Sequence, residues 1–368
     1  MNTRPEQISR NCFRMNYDTD ALRGKLLQVA RRTMSMPLPS WNWGEGVALL
    51  GLYRAWESLG DAEMLSFILG WAGGMAPGDE AVIKVNSTIP AYAAALAAAA
   101  ARGPDYAAAG PLSGEDYVLY TRRIAEFLCG SHAKLGNGAL MHTSQERSQL
   151  WVDTLFMAAV FLSYAGCRDK TAGYSGEAVR QFSSHLELLQ TESGLCYHGY
   201  DDMSKRLIGT QWARGNAWIM AGFPDLAQWL GGSMTEELEQ IRARVTRLAD
   251  GLMKVQDVSG SWHTVLDQPS TYLETSSAAG IAYGLLKSFR LGLLDPSRYG
   301  QMAEKALLWL LCQIGEDGTV QRVSAGTPVL INYIVYNEIS ETRIQLWGQG
   351  LAMMALSEWL LALEGSEG

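Results

Sequence analysis

The sequence predicts an all-α fold, a closed (α/α)6 barrel of six helical hairpins, and three observations carry that prediction. Apolar residues recur at helical spacing along nearly the whole chain, whereas alternating, strand-like patterns are brief. The helical segments are of two kinds that alternate. One is amphipathic and charged on one side, as in Glu236-Glu237-Leu238-Glu239-Gln240-Ile241-Arg242-Ala243-Arg244-Val245; the other is apolar nearly all round, as in Thr154-Leu155-Phe156-Met157-Ala158-Ala159-Val160-Phe161. A helix apolar on every face has to be buried on every face, so the second kind forms an inner ring within the first. Small residues on the inner set, including Gly46, Gly51, Ala93 to Ala101, Ala158, Ala159 and Ser276 to Gly280, permit the close packing that two concentric rings require.

In chain order the helices are expected near 18–36, 44–59, 61–74, 84–101, 115–131, 150–165, 174–190, 209–230, 235–256, 272–291, 295–313 and 342–364, outer and inner by turns. An open superhelix is the rival arrangement. Its repeats would resemble one another more closely, and it would need a polar capping repeat. Gly-rich, polar and aromatic segments separate the helices, at 136–138, 193–200, 259–263 and 315–318, and several read as short hairpins at the ends of inner helices. No Pro-rich or low-complexity linker divides the chain. Residues 1–368 therefore read as one domain, with about the first 15 residues as an extended arm.

Composition narrows the function. Hydrophobic residues make up 48% and charged residues 18%, which suits a large core and excludes disorder. Lys plus Arg number 30 against 38 Asp plus Glu, a net charge of −8 that would repel polyphosphate and argues against a nucleic-acid partner. A small anionic substrate remains compatible, because one Arg or His can reverse the field inside a cleft. Trp 12 and Tyr 15 outnumber Phe 8, and these flat rings with a polar handle suit a cleft for polar rings. The chain opens without a basic-then-apolar leader, and its longest apolar run, 91–101, is too short for a membrane span. Cys12, Cys129, Cys167, Cys196 and Cys312 are scattered without a CxxC pair. The expectation is a cytoplasmic protein with reduced thiols and no membrane partner, a monomer or homodimer.

The informative polar residues stand where loops enter the apolar helices, and burying them is costly unless they are paired or used. Asp153, in Leu150-Trp151-Val152-Asp153-Thr154-Leu155-Phe156-Met157, has no other charge near it before Arg168. An acid favoured by the helix dipole is the plain reading. The flanking Trp151, Phe156 and Met157 instead suggest a semi-apolar pocket that raises proton affinity and prepares a general acid. In Gln211-Trp212-Ala213-Arg214-Gly215-Asn216-Ala217-Trp218, Arg214 and Trp218 are four apart on one helix face. That guanidinium could grip a carboxylate while an indole stacks on a sugar, or could bond helix-end carbonyls. Trp41 and Trp43 form another aromatic pair at a helix start. His142, His198 and His263 occupy loops before inner helices, while His132 and His185 sit in outer helices. Without HxH or HExxH spacing no metal site is expected, and without GxSxG, a Walker loop or GxGxxG neither serine chemistry nor a nucleotide cofactor is.

These segments resemble the unsaturated glucuronyl and rhamnogalacturonyl hydrolases, glycoside hydrolase families 88 and 105. To the two runs above are added Tyr272-Leu273-Glu274-Thr275-Ser276-Ser277-Ala278-Ala279, after Trp262-His263-Thr264-Val265-Leu266-Asp267, and Val85-Asn86-Ser87-Thr88-Ile89-Pro90. The match is ordered along roughly 41–360, and family 105 fits better than family 88 in the arginine–tryptophan run. The resemblance implies an (α/α)6 barrel that takes a small oligosaccharide ending in a 4,5-unsaturated uronic acid, the product of a polysaccharide lyase, with a rhamnogalacturonan substrate favoured. It implies hydration of the C4=C5 double bond, with protonation at C4 and water adding at C5. The resulting hemiketal opens and releases the aglycone, with no cofactor or metal. Asp153 matches the general acid/base. His142, His198, Trp212, Arg214 and Trp218 match substrate-binding positions; Trp43 falls near an aromatic that faces the sugar, and Asn86, as a hydrogen-bonding group, and Thr275 are expected to bind substrate too. One departure stands out: where many members carry a second aspartate on the second inner helix, the stretch here is Ile83-Lys84-Val85-Asn86. A single carboxyl would then serve both steps. Two other readings remain: a sugar epimerase or isomerase using paired histidines, and a saccharide-binding protein without turnover.

Overall fold

Helices begin where a side chain can satisfy their first free amides. Asp18 caps α1 (Thr19–Met34), Asn42 caps α2 (Trp43–Leu59), Asp61 caps α3 (Ala62–Met75), Glu274 caps α10 (Thr275–Arg290) and Asp295 caps α11 (Pro296–Cys312). The computed structural model describes residues 17–76, 83–101, 114–142, 148–170 and 173–364. The arm expected at the N-terminus lies outside them. The remaining helices are α4 (Thr88–Ala100), α5 (Gly114–Glu126), α6 (Val160–Arg168), α7 (Tyr174–Leu189), α8 (Ala213–Leu230), α9 (Thr235–Lys254), the short α12 (Tyr333–Asn337) and α13 (Leu346–Glu364).

Six inner helices pack in the order α2, α4, α6, α8, α10, α13, and α13 returns against α2. The ring is closed, which excludes the open superhelix. The fold is an (α/α)6 barrel, with α1, α3, α5, α7, α9 and α11 outside. Closure depends on two glycines: a Cβ on Gly51 would stand 2.5 Å from the Gly350 carbonyl oxygen, and one on Gly350 would stand 2.2 Å from that of Val47. α13 is long and apolar enough to span a bilayer by length and composition, yet most of it is buried in the inner ring.

Three inner helices start later than their apolar pattern suggests. Short strands occupy the preceding residues: β1 (Gln149–Trp151), β2 (Gly199–Asp201) and β3 (Arg206–Ile208) form one antiparallel sheet, and β4 (Trp262–His263) pairs with β5 (Leu273–Glu274). Their aromatic and aliphatic side chains continue the apolar run, but the backbone pairs across the mouth of the barrel. The small hairpins closed by Lys134–Leu140, Gln190–Cys196 and Ile314–Val320 follow outer helices and lead into inner ones. Two π-helical turns, Phe127–Ser131 and Leu155–Ala159, interrupt regular winding. In the second, the Thr88 hydroxyl from α4 donates to the Met157 carbonyl at 2.7 Å, supplying a partner from the neighbouring helix.

Toward the C-terminal ends of the inner helices lies a buried charge cluster. Asp225 accepts from Arg54 Nη2 at 2.9 Å, from the Tyr283 hydroxyl at 2.9 Å and from Lys287 Nζ. It ties α2, α8 and α10 together within the apolar core.

Candidate active site

The mouth is built from the strand segments and the first turns of the inner helices. Asp153 follows β1 and precedes the π turn at Leu155, so its carboxyl is carried up from the inner ring and is 16% exposed. Its Oδ2 lies 3.2 Å from Nε2 of His198, close but off the line of a straight hydrogen bond. His198 is fully buried, stacked on Trp212 at 4.2 Å, with its Nδ1 2.6 Å from the Tyr336 hydroxyl. His142 stacks on Trp151 at 4.8 Å, and its Nδ1 is 3.0 Å from the Thr154 hydroxyl. Trp151 meets His198 edge-on at 5.5 Å, so both imidazoles and one indole surround the carboxyl.

The electrostatics differ from expectation. Burial by itself would raise Asp153, but the close approach and charge of His198, with His142 and Arg214 behind it, carry it below the ordinary carboxylate value. The semi-apolar pocket expected to raise its proton affinity is thus outweighed by its neighbours, and the free enzyme holds a carboxylate there. Burial pushes His142 down to about 4 and also lowers His198, whose approach to Asp153 only partly opposes the shift.

Arg214 also departs from its expected use. Its guanidinium is fully buried between Trp212, 4.6 Å below, and Trp347, 5.5 Å away. Nη1 donates to the backbone and side-chain oxygens of Ser324, and Nη2 donates to Ala325 O at 2.9 Å and Thr327 Oγ1 at 3.1 Å. Glu274, the α10 cap, adds an ion pair at 3.8 Å and also accepts from the Ser324 amide. The terminal nitrogens expected to grip a substrate carboxylate are therefore engaged by the 324–327 segment, and only Nε is left without a partner among the described residues.

The other expected residues separate by exposure. Trp43 and Asn86 are half-buried; Trp43 leans on Trp347 at 4.4 Å and edge-on to Trp218 at 6.4 Å. Trp212 and Trp218 are buried, the latter stacked on Phe156 at 4.8 Å, so they form the floor beneath the mouth instead of a face for sugar. Thr275 is buried at the first turn of α10. Trp262 is buried with its Nε1 donating to Leu252 O, and Trp41 packs on Trp71 at 5.3 Å; both are structural. His263, in β4, lies against Thr271 O, and its Nε2 is 3.7 Å from Asp257. Sequence reasoning did not single out Tyr336, Trp347, Tyr272 or the 324–327 segment.

Among the described residues, Trp212 Nε1, Arg214 Nε, Trp218 Nε1 and Thr275 Oγ1 are buried without a hydrogen-bond partner. Unsatisfied buried groups are uncommon in folded proteins, and each of these atoms can donate a hydrogen bond. Among the described residues, no three of His, Cys, Asp and Glu converge to hold a metal ion.

The sequence profile of Glycosyl Hydrolase Family 88 matches residues 24–363. The chain belongs to glycosyl hydrolase family 88. Within it, the chain is 30% identical over 362 residues to the unsaturated rhamnogalacturonyl hydrolase YesR of Bacillus subtilis, covering 94% of this chain and 96% of that one. Solved structures described as possible members of family GH105, from Salmonella enterica and Klebsiella pneumoniae, superpose with TM-scores of 0.83 and 0.85 at 26% and 25% identity. They cover 98% and 95% of this chain, and 96% and 95% of their own. This family 88 chain is accordingly a glycosidase, which removes the reading as a saccharide-binding protein without turnover.

Proposed function

We propose that the enzyme removes a 4,5-unsaturated uronic acid from the non-reducing end of lyase-generated oligosaccharides, with rhamnogalacturonan fragments favoured and Asp153 as general acid and base. The observation that carries the reading is Asp153 itself, a partly exposed carboxyl ringed by His142, Trp151 and His198, with the buried Arg214 charge acting on it. The 30% identity to YesR over nearly the whole chain favours the rhamnogalacturonan class.

The lowered proton affinity of Asp153 in the free enzyme fits an anionic substrate. A bound uronate adds a second negative charge and displaces water, and both raise the affinity of Asp153 for a proton. The protonated carboxyl then gives its proton to C4, and the carboxylate so formed accepts one from the water that adds at C5. The hemiketal opens and the aglycone leaves as an alcohol. Trp43, with Asn86 and His142 at the rim, faces the sugar, while Arg214 acts as a buried positive charge through its field. The absence of a carboxyl at Ile83-Lys84-Val85-Asn86 is consistent with one group in both roles. Reduced, scattered thiols, four of them free among the described residues, fit action in the cytoplasm on imported fragments.

The test is ultraviolet absorbance of the conjugated double bond. Incubation with lyase-digested rhamnogalacturonan should abolish it, with release of saturated oligosaccharide. Persistence of the absorbance with unsaturated fragments of pectin, ulvan and glycosaminoglycan alike would refute the reaction.

A further inference from the structure

Tyr336 lies in α12, 138 residues from His198 in sequence, yet its hydroxyl is 2.6 Å from Nδ1 of that ring. The same oxygen accepts the Leu330 amide at 3.3 Å, which leaves its own proton for the imidazole. Nδ1 is then the acceptor, the ring proton sits on Nε2, and Nε2 faces Asp153 Oδ2 at 3.2 Å. The opposite tautomer would turn a lone pair toward a carboxylate at that distance. Space for the hydroxyl is kept by Gly209, at φ +79°: a Cβ there would stand 2.6 Å from Tyr336 Oη. The loop that carries α12 is also the one whose residues 324–327 hold Arg214, so one segment orders both His198 and Arg214.

We propose that Tyr336 is a positioning residue for the reaction: it fixes His198 with its proton on Nε2, and His198 in turn orients the Asp153 carboxyl. The kinetic part rests on Asp153 as the acting carboxyl; the tautomer does not, and can be read without substrate.

Nitrogen-15 spectra of histidine-labelled enzyme, assigned with His198→Gln, should show His198 at neutral pH with a protonated Nε2 and a bare Nδ1. In Tyr336→Phe the two tautomers should mix and kcat should fall roughly 10- to 100-fold with KM little changed. The alkaline limb of kcat/KM, set by the fraction of Asp153 that carries the proton it gives to C4, should also move to higher pH, because Asp153 loses the neighbour that lowers it. A purely structural tyrosine would lower the melting temperature but leave tautomer and alkaline limb in place. A wild-type His198 protonated on Nδ1 overturns the proposal, as does a Tyr336→Phe enzyme with unaltered kcat and alkaline limb. If Tyr336→Phe does not fold, the wild-type spectrum alone decides. If no unsaturated substrate turns over, the reaction assignment fails while the tautomer stands or falls on its own spectrum.

Discussion

Replacing Asp225 with Asn tests how the inner ring tolerates its charges. Three donors converge on this carboxylate, from Arg54, Tyr283 and Lys287, and neither it nor Lys287 is exposed to solvent. Asparagine keeps the volume and one amide oxygen but removes the charge, leaving Arg54 and Lys287 buried with the partly exposed Glu57 beside Arg54 and with Glu358, already paired with Arg290, acting on Lys287. Breaking a buried pair from one side costs about 3–5 kcal/mol. Adding Lys287→Met removes the surplus positive charge, so the double variant should recover about 1–3 kcal/mol relative to the sum of the single losses. Urea unfolding of the four proteins measures this coupling. Single effects that add to within about 0.5 kcal/mol would refute the reasoning, because they would mean the charges do not depend on one another.

Asp153→Asn should retain the fold and melting profile while turnover falls roughly 100- to 10,000-fold; full activity would remove Asp153 from the mechanism. Gly51→Ala should destabilise the ring by roughly 1–3 kcal/mol, because its Cβ meets the Gly350 backbone and overpacks the α2–α13 seam; unchanged thermal stability would show that the seam can give. Burial holds His142 at about 4 and His185 at about 3 in the folded chain. The unfolded chain takes up these protons near pH 6.5, so stability is full above that value and falls as pH drops below it. The loss reaches at most about 1.4 kcal/mol per pH unit for each histidine. It stops growing for each once the folded ring also protonates. Urea midpoints at neutral and mildly acidic pH measure it, and equal midpoints would contradict burial as the cause.

The periodicity of the chain was sufficient for the twelve long helices and their sorting into inner and outer sets, since a helix apolar all round has only one place to go. It began inner helices too early at 150, 209 and 272, because the strands and extended residues that precede these helices continue the same apolar run. Among the tryptophans, Trp43 and Trp151 are half-buried, whereas Trp212, Trp218 and Trp262 have the same local look and are buried. Asp153 and His198 were legible as polar residues at helix starts, where burial has to be compensated.

What the sequence by itself determined is the burial of each helix face, and with it the double ring and the polar residues at its mouth. What only tertiary structure decided is which polar atoms are already engaged. Arg214 reads as a substrate ligand until Ser324, Ala325 and Thr327, more than a hundred residues away, close on its donors. Asp153 reads as a carboxyl raised by apolar neighbours until His198, itself held by Tyr336, is brought to 3.2 Å. The physical reason is common to both: burial follows from local periodicity, but hydrogen-bond partners across the mouth meet only when α13 packs against α2 and the ring closes.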